Sequence, residues 1–101
     1  MIMHDDLEMR RKRAGYRASH RGTKEMDIIL GRYAEVHLPG MDADALDLFE
    51  RFLALPDPLL TQWFSQGATD AEAGELAPLM AALRAHHGVA PVAADTALET
   101  R

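Results

Sequence analysis

The run Met26-Asp27-Ile28-Ile29-Leu30-Gly31-Arg32-Tyr33-Ala34-Glu35-Val36-His37 decides the fold. Its positions Met26, Ile29, Leu30, Tyr33 and His37 recur at helical spacing, the mark of one buried face, and predict a helix from Lys24 to about Leu38. Leu38-Pro39-Gly40 stops it. Upstream, residues 5 to about 20 form a helix with a weak apolar stripe, Leu7, Met9, Ala14 and Tyr16, interrupted by Arg10-Arg11-Lys12-Arg13. Gly15 lowers its propensity further, so this helix is expected to dock through Tyr16 and a few neighbours. Gly22 is expected to end it in the left-handed backbone that glycine adopts cheaply.

Downstream, Asp42 or Asp44 can cap a helix over residues 44 to about 55 by accepting from its free N–H groups. Leu46, Phe49 and Leu53 line one side of it, Leu48 and Phe52 widen that face, and Asp47, Glu50 and Arg51 lie outside. Leu55-Pro56-Asp57-Pro58 reads as an elbow, with Asp57 a natural N-cap and Pro58 suited to the first helical position. The next helix buries Leu60, Trp63 and Phe64, aromatic residues being the usual source of core area, and stops at Gly67. Thr69 and Glu72 have capping-box spacing, and Leu76, Leu79, Met80 and Leu83 carry a last helix to about His87. From Gly88 onward periodicity disappears, as in a disordered tail. With no strand pattern and no repeat, the chain is predicted to be all-α: a compact bundle of about five helices with short loops, one domain over residues 1–87 and a tail over 88–101.

A chain of 101 residues holds one modest core. With no cysteine, disulfides, thiolate metal sites and thiol catalysis are excluded together. No run approaches the ~18 to 20 apolar residues of a membrane span. The N-terminus lacks a signal-peptide core, and Asp5, Asp6 and Glu8 argue against a transit peptide, so a reducing cytoplasm is expected. The net charge of -5 is unevenly spread: residues 1 to 32 hold eight basic and five acidic side chains, leaving -8 on the other 69. A basic face of this kind suits an anionic surface, whether nucleic acid, a phosphate-bearing ligand or an acidic protein patch.

Catalytic and metal signals are weak. Neither a phosphate loop nor a dinucleotide fingerprint is present. His4, His20, His37, His86 and His87 form no i, i+4 pair, and adjacent His86 and His87 point about 100° apart on a helix; they suit the negative end of the last helix instead. Ser19, His20 and Glu25 share one turn region, but no oxyanion-hole motif accompanies them. Around that turn, Arg17, His20 and Arg21 close one helix while Glu25 and Asp27 open the next, where each sign suits the local backbone dipole. The residues alone therefore fit either an ordinary helix junction or a binding site. The Arg10 to Arg17 segment also keeps open a small helical nucleic-acid-binding or regulatory protein.

Arg21-Gly22-Thr23-Lys24-Glu25 has the form R-G-x-x-E and is followed by Met26-Asp27. The helix from Ile28, the acidic amphipathic helix through Phe49 and Leu53, and Asp57-Pro58-Leu59-Leu60-Thr61-Gln62-Trp63 follow in an order and spacing that extend over residues 10 to 85. In this the chain resembles the small assembly factors that promote covalent flavin attachment to the succinate dehydrogenase flavoprotein. The resemblance implies a five-helix bundle that binds that flavoprotein subunit, and in bacteria often the fumarate reductase one as well, and that assists attachment of FAD to a histidine of the partner. It implies a bacterial cytoplasmic protein that is not an enzyme, holds no cofactor tightly, and needs neither nucleic acid nor membrane insertion. By the same resemblance Arg21, Gly22 and Glu25 face the partner, with Asp27, Arg17 and Lys24 in support. Gly22 would allow close backbone approach, Arg21 would offer bidentate hydrogen bonds, and Gly22→Arg or Glu25→Ala would abolish binding with the fold intact. Where many members have an aromatic residue just before the motif, this chain has Ala18-Ser19-His20, so that anchor is either missing or supplied by Tyr16.

Overall fold

A computed structural model describes residues 2–89, with side chains from Asp6 onward. The helices are α1 (Ile2–Ser19), α2 (Lys24–His37), α3 (Ala43–Leu53), α4 (Asp57–Gln66), α5 (Asp70–Ala73) and α6 (Ala77–His86), with 3-10 turns at Leu38–Gly40 and Gly74–Leu76. No strand occurs among the described residues. The fold is all-α, and the five predicted helical segments stand where periodicity put them. The last one is jointed. Gly74 sits at φ 56, which favours glycine, and Pro78 in the first turn of α6 has no N–H to continue the ladder from α5. The tail expected from residue 88 lies outside the described residues from position 90 on.

The helices gather into two compact units, one ending at Asp57 and one beginning at Pro58. In the first, Met26, Ile29, Leu30, Tyr33 and Ala34 form the buried face of α2, and Leu46, Phe49, Phe52 and Leu53 that of α3. Each such side chain contributes about 1.5–3 kcal/mol when fully buried. His37 departs from the predicted stripe: it is exposed and stacks on Tyr33 with ring centroids 4.3 Å apart. Asp42 is the cap of α3, its carboxylate accepting from Ala45 N at 2.9 Å.

The expected docking of α1 through Tyr16 is corrected, because that ring is 64% exposed. α1 is seated instead by Ala14 and Ala18, both buried. Small residues let two helix backbones approach closely, and a Cβ built on Gly31 of α2 would stand 3.3 Å from Ser19 Cβ of α1. Two polar ties add to this seat. Arg10 donates Nε and Nη2 to Glu50 at 3.1 and 2.8 Å, and Arg11 donates both nitrogens of its fork to Met41 O at 3.2 and 2.7 Å.

In the second unit Leu60, Trp63, Met80 and Leu83 are buried and Phe64 is half-buried. Gly67, at φ 88, closes α4 through its N–H to Trp63 O at 2.7 Å. The capping box forms as predicted, Thr69 Oγ1 accepting from Glu72 N at 3.2 Å and Glu72 Oε1 from Thr69 N at 3.1 Å. Buried Arg84 donates to Phe64 O at 2.8 Å, satisfying one of the carbonyls that every helix C-terminus leaves without an internal partner.

Candidate functional site

The R-G-x-x-E segment lies between α1 and α2. Thr23 is the N-cap of α2, its hydroxyl accepting from Met26 N at 3.2 Å, so the exposed pair Lys24 and Glu25 opens the helix. Asp27, half-buried in the first turn, accepts the Arg21 backbone N–H. It thereby holds the incoming chain against the helix it opens.

The Arg21 side chain turns inward. Its Nε donates to Asp57 Oδ1 at 2.9 Å, Nη1 to Leu53 O at 2.7 Å and Nη2 to Leu55 O at 2.9 Å, and Nη2 stands 2.8 Å from Asp57 Oδ1. The two side chains are only 10% and 15% exposed. Arg21 thus closes the C-terminus of α3, where a cation suits the negative end of the dipole, and pairs with the carboxylate that opens α4, where an anion suits the positive end. The bidentate fork expected to meet a partner meets Asp57 and two backbone carbonyls instead.

The account of Gly22 is also corrected. Its φ is not in the left-handed region, which among the described residues is occupied only by Gly67, Gly74 and Gly88. Glycine is required here by space. Gly22 N donates to Asp57 Oδ2 at 2.7 Å, and a Cβ at Gly22 would lie 2.9 Å from the same oxygen, closer than atoms pack. A side chain at position 22 therefore meets the Asp57 carboxylate of the Arg21–Asp57 pair and not open surface.

The structure ties Arg21 and Gly22 to Asp57 and the Arg21 backbone to Asp27, and leaves Arg17, Lys24 and Glu25 exposed. Glu25, Ile28 and Arg32 follow at i, i+3 and i+7, so α2 presents them on one outer face, and Ile28 is among the few large apolar side chains that are exposed. Tyr16, two residues before buried Ala18 on α1, is another, and its ring stacks on His20 at 3.9 Å. Sequence reasoning missed two residues of this corner, Asp57 as a binder of the motif and Thr23 as a cap. The Thr23 signal was available in its place one residue before the helix; a carboxylate 36 residues from its arginine gives no local sign.

Ser19 and His20 are not arranged for nucleophilic chemistry. His20 Nδ1 lies 2.9 Å from Tyr16 O, and a carbonyl only accepts, so this nitrogen carries the proton. It is then no base for Ser19, whose hydroxyl donates to Gly15 O at 3.0 Å. Of the basic segment proposed for nucleic acid, Arg10 and Arg11 are committed within the fold, leaving Lys12, Arg13 and Arg17 outward. Among the described residues no group of three or more metal-ligating side chains gathers, and no helix is long and apolar enough to cross a membrane.

Fold and corner define a small all-α protein whose interhelical turn is clasped from within by an arginine and two aspartates and carries a charged outer rim. The family model described as "Flavinator of succinate dehydrogenase" matches residues 12–87, and the chain belongs to that family. It is 44% identical over 62 residues, 61% of this chain, to the FAD assembly factor SdhE of Acetobacter pasteurianus, covering 57% of that protein. It is 30% identical over 82 residues, 81% of this chain, to the mitochondrial succinate dehydrogenase assembly factor 2 of Cryptococcus neoformans, covering 47% of it. The namesake in Arabidopsis thaliana is 31% identical over 68 residues, of which 36% of that protein is covered. The chain therefore spans about half the length of the relatives it matches. No solved structure matches it.

Proposed function

We propose that this chain is an assembly factor that binds the flavoprotein subunit of succinate dehydrogenase and promotes covalent attachment of FAD to it. The observation that carries the reading is membership of the flavinator family over residues 12–87, which takes in the whole corner. In this reading the protein is not an enzyme. The bond forms between the client's own histidine and its flavin, and this chain contributes no atom to it and holds no cofactor tightly. It acts by preferring one client conformation, since a binder shifts a conformational equilibrium by its differential affinity for the two states. The fumarate reductase flavoprotein is a second client of the same kind, and the bacterial cytoplasm is where both would be met.

The rim of the corner makes the contact. Glu25 offers a carboxylate at the start of α2, Arg17 and Lys24 offer cations beside it, and Ile28 and Tyr16 add exposed apolar area of the sort that anchors interfaces. Arg21, Gly22 and Asp27 belong to the same site by holding the rim in place. Titration of the purified flavoprotein subunit with the purified chain tests this. Glu25→Ala and Tyr16→Ala should each weaken binding about tenfold or more, the scale of an interface residue worth about 1.4 kcal/mol, while retaining the helical circular dichroism of the native chain. Undiminished affinity in both variants would remove this face from the interface.

A further inference from the structure

We propose that Asp57 is the positioning residue of the R-G-x-x-E corner, and that a side chain at position 22 does its damage by displacing the Asp57 carboxylate rather than by colliding with the partner. The functional half of this rests on the flavinylation reading above.

One carboxylate, that of Asp57, serves both Arg21 and Gly22. Its two oxygens are divided between two successive motif residues, Oδ1 taking Arg21 Nε at 2.9 Å and Oδ2 taking Gly22 N at 2.7 Å. Both partners are donors and the group is largely buried, so a single anion fixes the path of the chain through the turn. The space at position 22 is filled by the same oxygen: a Cβ would stand 2.9 Å from Oδ2, and the next nearest atom is Asp57 Cγ at 3.9 Å. Any side chain there must move the carboxylate, and a moved carboxylate gives up one or both donors. Arg21 would then keep only Leu53 O and Leu55 O, with a cation deprived of its anion in a poorly solvated place, which is costly. The start of α2 lies two residues further on. Loss of the Asp57 anchor therefore lets the Lys24-Glu25 rim change its presentation while the buried face of α2 stays seated on Met26, Ile29 and Leu30.

Two explanations of Gly22 are thereby separable. If glycine is needed for a partner to approach, the partner still meets the new methyl after Asp57 is removed. If glycine is needed to leave room for Asp57, removing Asp57 removes the conflict.

The experiment compares wild type, Gly22→Ala, Asp57→Ala and the double variant, with Asp57→Asn as the conservative change. Two quantities are read: the initial rate of covalent FAD attachment to the purified flavoprotein subunit, at a temperature where every variant is folded, and the urea midpoint of each chain alone. Each single alanine variant should slow flavinylation about tenfold, the double variant should be no slower than Asp57→Ala, and Asp57→Asn, which keeps one carbonyl acceptor, should recover part of the rate. Losses that multiply in the double variant, or a full rate for Asp57→Ala, would overturn the proposal. If the wild-type chain itself does not accelerate attachment, the flavinylation reading fails. The positioning claim is then decided by the urea midpoints: a double variant matching Asp57→Ala supports it, and additive shifts overturn it. Should Asp57→Ala not fold, Asp57→Asn takes its place in the cycle with the same two outcomes.

Discussion

Arg21–Asp57 and Arg10–Glu50 look alike as contacts and differ in what depends on them. Each joins an arginine fork to a carboxylate far along the chain, 36 and 40 residues away, and each has Nε and Nη2 within 3.1 Å of the acid. The outer pair is 28% exposed on both sides, and water replaces either partner at little cost, so pairs of this kind contribute little. The inner pair extends into the backbone: the same arginine closes two carbonyls at the end of α3, and the same aspartate receives the N–H of Gly22. Removing one member there leaves several poorly solvated groups without partners. Ion-pair geometry alone therefore says little; the backbone groups gathered around the pair decide its weight.

The largest expected effect is that of Arg21→Ala. It leaves Asp57 without its cation and uncovers Leu53 O and Leu55 O, so the loss is about 3 kcal/mol, the lower end for breaking a buried pair. A lowered urea midpoint at constant slope is the readout. Gly22→Ala comes next, at about 1–3 kcal/mol for leaving a poorly solvated hydrogen-bonding group without its partner when the Asp57 carboxylate is displaced. An unchanged midpoint in either would erase the distinction between inner and outer pairs.

Glu50→Gln should matter less and in a pH-dependent way. Hydrogen bonding from Arg10 holds the Glu50 carboxyl below its usual range. A carboxyl depressed in the folded state contributes stability that is present above its unfolded value and lost as pH falls through its folded one. The gap between wild type and Glu50→Gln should therefore be widest near neutrality and close as the pH drops below the ordinary carboxylate range. Added salt should narrow it as well, because exposed pairs are screened; the Arg21→Ala deficit should respond less to salt. The smallest effect on folding is expected for Glu25→Ala, whose side chain is exposed: no measurable shift in the urea midpoint, with client binding weakened about tenfold or more.

What the sequence disclosed divides along the same line as the two arginine pairs. Local features were legible. The stripe Met26, Ile29, Leu30, Tyr33 placed α2, and the caps Asp42 and Thr69 with Glu72 placed the starts of α3 and α5, because each depends on residues within a turn of one another. The seat of α1 was half legible: Ala14 stood in the predicted stripe and is buried, but Ala18 gives almost no apolar signal, whereas exposed Tyr16 gives a strong one. His37 fell on the stripe by spacing yet is exposed and lies against the Tyr33 ring, while its neighbour Leu38 is the buried residue. The joint at Gly74 was passed over because every position of the predicted stripe, Leu76, Leu79, Met80 and Leu83, lies after it, and the capping box before it was read as the start of the same helix. At the site, the motif could be found and its inner half could not be understood. Arg21 and Gly22 read as outward groups so long as Asp57 was taken only as a helix cap, and nothing in Leu55-Pro56-Asp57-Pro58 points back across 36 residues.

The most direct test of the central claim is covalent flavin on the succinate dehydrogenase flavoprotein subunit, read as in-gel fluorescence of the denatured subunit from cells with and without this chain. Fluorescence should be lost without the chain, restored by the wild type, and restored less by Glu25→Ala expressed at the same level. Undiminished fluorescence in cells lacking the chain would contradict it.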